Sequence, residues 1–168
     1  MRLIALTVAF FMIASLSRAL HADESQRSTE LQVLDRYLGE WETEVTVKGT
    51  GEKSISHQSR KWSRQGKFVI SEELDLATKK ESHFLVTYDP KTKQYRSCFI
   101  NEDVAVPLMG TWDEKSQTMR WKSAEGDYKH DSTHHHVSKD RIDWTMTVTS
   151  PEGKIVLEID AKQTRRKP

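Results

Sequence analysis

From Gly39 onward the side chains alternate between apolar and polar with a period of two, and this constrains the fold more than any other feature. Trp41, Thr43, Val45 and Val47 share one side, and Glu42, Glu44, Thr46 and Lys48 the other. Ile142, Trp144, Met146 and Val148 alternate with Asp143, Thr145, Thr147 and Thr149. Ile155, Leu157, Ile159 and Ala161 alternate with Val156, Glu158, Asp160 and Lys162. Successive side chains of a strand point to opposite faces, so each of these segments reads as a strand with one buried and one wet face.

Turn chemistry divides the strands. Ser150-Pro151-Glu152-Gly153 pairs a proline that presets a turn with a glycine that accepts a left-handed backbone. Asp89-Pro90-Lys91-Thr92-Lys93 and Asp113 to Gln117 are further turns. The pattern predicts about ten strands, at 41–48, 55–64, 67–75, 82–88, 94–100, 104–112, 117–123, 129–137, 141–149 and 154–163. Pro107 reads as the mark of an edge or bulge. Hairpins in sequence with no long crossover favour an antiparallel up-and-down β-barrel. Before them Leu31, Leu34, Tyr37 and Leu38 form one stripe of a short helix, capped by Ser28 or Thr29 and stopped by Gly39.

The start of the chain is of another kind. Met1 and Arg2 precede an apolar run from Leu3 to Leu16, and small residues stand at Ala19 and Ala22. That order is a secretory signal peptide, and the run is too short to span a bilayer. The expected division is a signal peptide over 1–22 and one domain over 23–168, exported to the periplasm or beyond. Loss of Arg2 and Arg18 moves the formal net charge from +1 to −1. Such a balance carries no footprint for nucleic acid, and no segment after Leu16 is apolar enough to cross a membrane. The single cysteine, Cys98, excludes an intrachain disulfide, so packing must hold the fold.

Gly39-Glu40-Trp41 stands where the short helix enters the first strand, and this resembles the G-x-W element of lipocalins and related calycin barrels. The resemblance implies a tryptophan that closes the barrel base against an arginine after the last strand. Arg165 and Arg166 are available, and the inward odd positions of the last strand favour Arg165. Gly39, Trp41 and Arg165 are therefore the expected closing group. Over residues 31–166 the chain also resembles an exported bacterial family of unknown function with a lipocalin-like fold. The residues that carry this are Leu38-Gly39-Glu40-Trp41, Tyr88-Asp89-Pro90 with Tyr95, Gly110-Thr111-Trp112-Asp113 and Thr164-Arg165. The resemblance implies a fold and no chemistry, and the His-rich stretch at 130–136 departs from it.

Candidate chemistry is sparse. His130, His134 and His136 fall on one face of a strand, with Asp131 and His135 on the other. An H-x-H pair on a strand can present two imidazoles to a metal, with His57, His83 or Glu72 as a third ligand. The competing reading is an edge strand with a solvated polar face. Glu72-Glu73 and Glu102-Asp103 point to opposite faces, so neither is a ready acid/base pair, and no catalytic residue or cofactor motif is assigned. All five tryptophans follow the leader, and they read first as core. Arg60, Trp62, Tyr88, Tyr95, Trp121 and Trp144 are the candidates to line a ligand cavity. Three functions compete: a barrel that binds a small apolar or amphipathic molecule, a non-catalytic structural or interaction module of the cell envelope, and a His-dependent metal enzyme.

Overall fold

The computed structural model describes residues 27–167. The signal peptide expected over 1–22 lies outside the described residues. Helix α1 (Thr29–Val33) continues into a 3-10 turn (Leu34–Tyr37). Ten strands follow: β1 (Gly39–Val47), β2 (Lys53–Trp62), β3 (Val69–Asp75), β4 (Glu81–Asp89), β5 (Gln94–Ile100), β6 (Ala105–Asp113), β7 (Thr118–Ser123), β8 (Lys129–Ser138), β9 (Arg141–Thr149) and β10 (Ile155–Arg165). Each strand pairs antiparallel with its chain neighbours, and β10 pairs with β1 to close the barrel. Closure leaves no strand edge unpaired, which removes the usual route to edge-to-edge association.

Closure corrects one local expectation, and strand pairing narrows another. β8 is not an edge strand, because it pairs with β7 on one side and β9 on the other. Pro107 marks a local edge on the β7 side and no bulge. The β6–β7 register ends at Leu108 opposite Ser123, and the Pro107 carbonyl accepts the Ala124 N–H at 3.0 Å. The missing proline N–H thus falls where the ladder has already ended.

One end of the barrel is plugged. Ser28 caps α1 by accepting the Leu31 N–H at 3.3 Å. The helical segment lays Leu34 and Tyr37 into the barrel base, where both are buried. Gly39, at φ +102°, then turns the chain into β1. Trp41 follows at 0% exposure, and its indole N–H donates to the Tyr37 carbonyl at 2.8 Å. Arg165 arrives from β10, directly opposite Trp41 in the register, with Cζ 4.2 Å from the ring centre. Its guanidinium donates to the carbonyls of Leu38 and Lys139, the latter at 2.9 and 3.1 Å, and pairs with Asp140 at 3.1 Å. A Cβ on Gly39 would stand 2.6 Å from Arg165 Nη1, so only glycine leaves room for this contact. The other end, formed by the loops after β1, β3, β5, β7 and β9, carries no such plug among the described residues.

Candidate functional site: the polar interior of the barrel

Alternation along the strands sends one residue in two inward, and many of those are polar. Thr43, Ser56, Gln58, Ser71, Ser97, Ser132, His136 and Gln163 are all buried. They share the interior with Val69, Leu108, Met119, Trp121 and Ile142. Trp121 lies with its ring over Gly110, its cross-strand partner; a Cβ there would meet two ring carbons at 2.5 Å. Only glycine at 110 leaves room for the indole at this close approach.

The candidate ligand-lining residues divide between the base and the lumen. Trp62 belongs to the base: its indole N–H donates to Asp35 at 2.7 Å, and Arg27 stacks on its ring at 4.6 Å. Tyr88 and Tyr95 pack edge to face at 5.1 Å, and the Tyr95 hydroxyl donates to the Glu30 carbonyl at 2.9 Å. Arg60 and Trp144 face the lumen. Arg60 lies 5.4 Å from the Tyr37 ring centre and 5.9 Å from that of Trp41. Its Nη2 donates to Gln58, and to Gln163 at 3.2 Å. Gln163 in turn donates to Gln58 at 3.0 Å and to Thr43 at 3.2 Å.

The histidine face of β8 also turns inward. His136 meets Tyr37 at 4.5 Å and Trp112 at 5.5 Å between ring centres. His134 sits 5.6 Å from Trp144 and 6.2 Å from Tyr37. His130 is half-buried nearer the open end. The three residues suggested as a third metal ligand stand on the outer face instead. His57 faces Glu42 at 3.3 Å, Glu72 faces Lys61 at 3.7 Å, and His83 is exposed. Among the described residues no three His, Cys, Asp or Glu side chains come together as a metal-binding group.

Burial sets the charges of this interior. It drives the pKa of His134 down to about 3, helped by the charge of Arg60 and by His136. It does the same to His136, also to about 3, with Arg36 and Arg60 adding to the effect. Burial raises the Tyr37 phenol above its ordinary value. Arg60 is lowered to about 10 by burial, against the pull of Tyr37 and Glu73, and so keeps its proton at neutral pH. The interior therefore holds the positive charge of Arg60 between two neutral imidazoles, with the half-buried Glu73 carboxylate, which accepts from Ser56 and Ser82, on the same inner face of β3 as Ser71.

Six polar atoms in this region have no hydrogen-bond partner among the described residues: Tyr37 Oη, Arg60 Nη1, Ser71 Oγ, His134 Nδ1, His136 Nε2 and Trp144 Nε1. Leaving such an atom unsatisfied costs about 1–3 kcal/mol. Sequence reasoning selected Arg60, Trp144 and the histidines but not Tyr37, Ser71, Gln58 or Gln163. Gln58 and Arg60 sit two apart on β2, so strict alternation places them on one face. Tyr37 reads as an ordinary member of the helix stripe.

Two grooves lie outside the lumen. One, of about 450 Å³, crosses the outer faces of β8, β9, β10 and β1 and is lined by charged groups, including the Arg141–Asp143 pair at 2.8 Å. The other, of about 720 Å³, separates α1 from the rim of β4–β6 beside Tyr88, Tyr95 and Trp112.

No family model and no curated protein matches the chain. Solved structures do. The S-type phycobiliprotein lyase CPES from Guillardia theta superposes with a TM-score of 0.59 at 11% identity, over 86% of this chain and 96% of its own. Rv2717c from M. tuberculosis superposes with a TM-score of 0.60 at 10% identity, over 83% of this chain and 99% of its own. At that identity the likeness is one of fold: the chain is a closed, calycin-like, ten-stranded antiparallel barrel.

Proposed function

We propose that this protein is an exported barrel that binds one small apolar or amphipathic molecule in its lumen. The observation that carries the reading is the group of unpartnered polar atoms beside apolar walls. A purely structural core gains nothing by enclosing them, whereas a ligand that reaches them recovers the cost of their burial. The open end supplies a route inward. Phe84, Phe99, Val106, Met146, Val148 and Leu157 alternate into the barrel there and are only half-buried. One structural neighbour is itself named as a lyase, so a barrel of this shape can serve more than architecture. Export rests on the leader at 1–22, and N-terminal sequencing of the protein from its own cells tests it; a chain that keeps Met1 removes it.

Binding is tested with Nile red, a neutral apolar fluorophore, added to the folded protein. The reading expects saturable one-to-one binding with energy transfer from the tryptophans. Absence of a saturable signal counts against it. A second reading, an interaction module of the envelope, is favoured by one observation: Val104, Tyr128, Ile155 and Val156 are exposed around the open end. A partner that covers that rim would leave the lumen empty of probe.

A further inference from the structure

We infer that the lumen receives the carboxylate of an amphipathic monoanion at Arg60, with the ligand's apolar part directed along the wall toward Phe84 and Phe99. The inference rests on the small-molecule reading above and gives it a ligand class.

Arg60 is the starting point. Its guanidinium is enclosed, it makes no ion pair among the described residues, and its Nη1 has no partner among them. The inward carboxylate of Glu73 acts on it only from beyond ion-pair distance and is itself held by Ser56 and Ser82, and a buried charge without a direct ion pair is costly. Elsewhere in the same molecule the equivalent problem is solved internally: Arg165 has Asp140 and backbone carbonyls. Arg60 has only the amides of Gln58 and Gln163, both through Nη2.

The chemistry of the other unpartnered atoms narrows the class. An arginine nitrogen and the Trp144 indole nitrogen can only donate, so what satisfies them must accept. Tyr37 joins the two: its ring contacts Arg60 on one side and both histidines on the other, and His134 reaches Trp144. The donors thus form a connected patch around one phenol. The histidines carry no charge at neutral pH, which leaves one positive charge in the patch. One charge matches a monoanion such as a carboxylate better than a phosphate dianion.

The apolar direction follows from the register. Arg60 stands opposite Ser71, Ser71 opposite Phe84, Phe84 opposite Phe99 and Phe99 opposite Val106. The phenyl rings of Phe84 and Phe99 meet at 4.9 Å. A single cross-strand row therefore runs from the cationic patch into an apolar wall at the open end. That row has the polarity of an amphipathic acid.

The test compares dodecanoate with dodecan-1-ol, which share a chain and differ in the head group, by calorimetry on the full mature protein. The wild type is expected to bind the acid about tenfold or more tighter, as a charge-assisted hydrogen bond allows. Arg60→Met should abolish that preference by weakening the acid far more than the alcohol, whereas Arg60→Lys should retain part of it. Trp144→Phe, which keeps an aromatic ring and removes the N–H, should weaken the acid more than the alcohol, and it decides the matter if the methionine variant does not fold. Equal wild-type affinities, or a preference that survives in Arg60→Met, overturn the carboxylate site and leave the binding reading intact. Binding of neither probe overturns both.

Discussion

Two arginines flank the same tryptophan and differ in one respect. Arg165 lies 4.2 Å from the Trp41 ring at the barrel base, and Arg60 lies 5.9 Å from it on the lumen side. Arg165 finds acceptors in Leu38, Lys139 and Asp140. Arg60 keeps one nitrogen without any among the described residues. The pattern extends to their neighbours. At the base, the indoles of Trp41 and Trp62 and the hydroxyl of Tyr95 all donate to the protein itself. In the lumen, Trp144, Tyr37 and both inner histidines do not complete their hydrogen bonds. The base has one exception, Arg27 on the Trp62 ring, whose Nε also lacks a partner among the described residues although its Nη2 pairs with Asp35. The lumen arginine differs from both base arginines in having no ion pair among those residues.

The largest expected effect is at the base. Trp41→Ala removes a fully buried indole and its hydrogen bond, and should cost about 3–5 kcal/mol of unfolding free energy by chemical denaturation. A loss below about 1 kcal/mol would mean that the base is not what closes the barrel.

Acid should next expose the lumen. Both inner histidines have folded values far below the ordinary 6.5, so the folded state resists protonation that the unfolded chain accepts. Their contribution to stability is complete above about pH 6.5 and is lost as pH falls toward 3. The slope reaches about 1.4 kcal/mol per pH unit for each histidine. The depressed carboxylates Asp75, Asp89 and Asp113 titrate below their ordinary values and so act later. Urea unfolding between pH 7 and 5 should therefore lose most of its pH dependence in the His134→Gln, His136→Gln double variant. An unchanged slope would place the histidines in contact with bulk water.

The smallest effects separate the arginines. Arg165→Ala should cost about 1–3 kcal/mol, since it removes a cation stacked on the buried Trp41 ring and the donors to the half-buried Leu38 carbonyl and to Lys139. Arg60→Met should cost less than that or stabilise, because it removes a buried charge that has no direct ion pair among the described residues. Arg166 contributes only its backbone N–H, to Glu40 at 2.8 Å, and Arg166→Ala should stay within about 0.5 kcal/mol. Denaturation midpoints of the three variants, measured together, sharpen the comparison; equal losses at Arg60 and Arg165 would erase it.

The barrel was legible because its signals are local. Alternation in Trp41–Val47, Ile142–Thr149 and Ile155–Lys162, with Pro151 and Gly153 between the last two, dictates strands and a hairpin without reference to the rest. The edge-strand reading of β8 failed for a physical reason. Lys129–Ser138 is polar on both faces, which reads as solvated on both, yet closure buries the face of His134 and His136 whatever its polarity. The lumen was legible only in part. Alternation shows that Arg60, Trp144 and the histidines face inward. Whether each finds a partner depends on side chains from strands far apart in the chain, such as Gln163 reaching Gln58 and Thr43. Tyr37, the center of the patch, enters from the helical segment, where no strand pattern can place it.

The central claim is that the lumen, unlike the base, is completed by a molecule from outside. Native mass spectrometry of the protein purified from its own source tests this most directly. The account predicts a noncovalent mass of small-molecule size, released on denaturation and diminished in Arg60→Met but not in Arg166→Ala. A protein that emerges at its bare chain mass and takes up neither Nile red nor dodecanoate would contradict it.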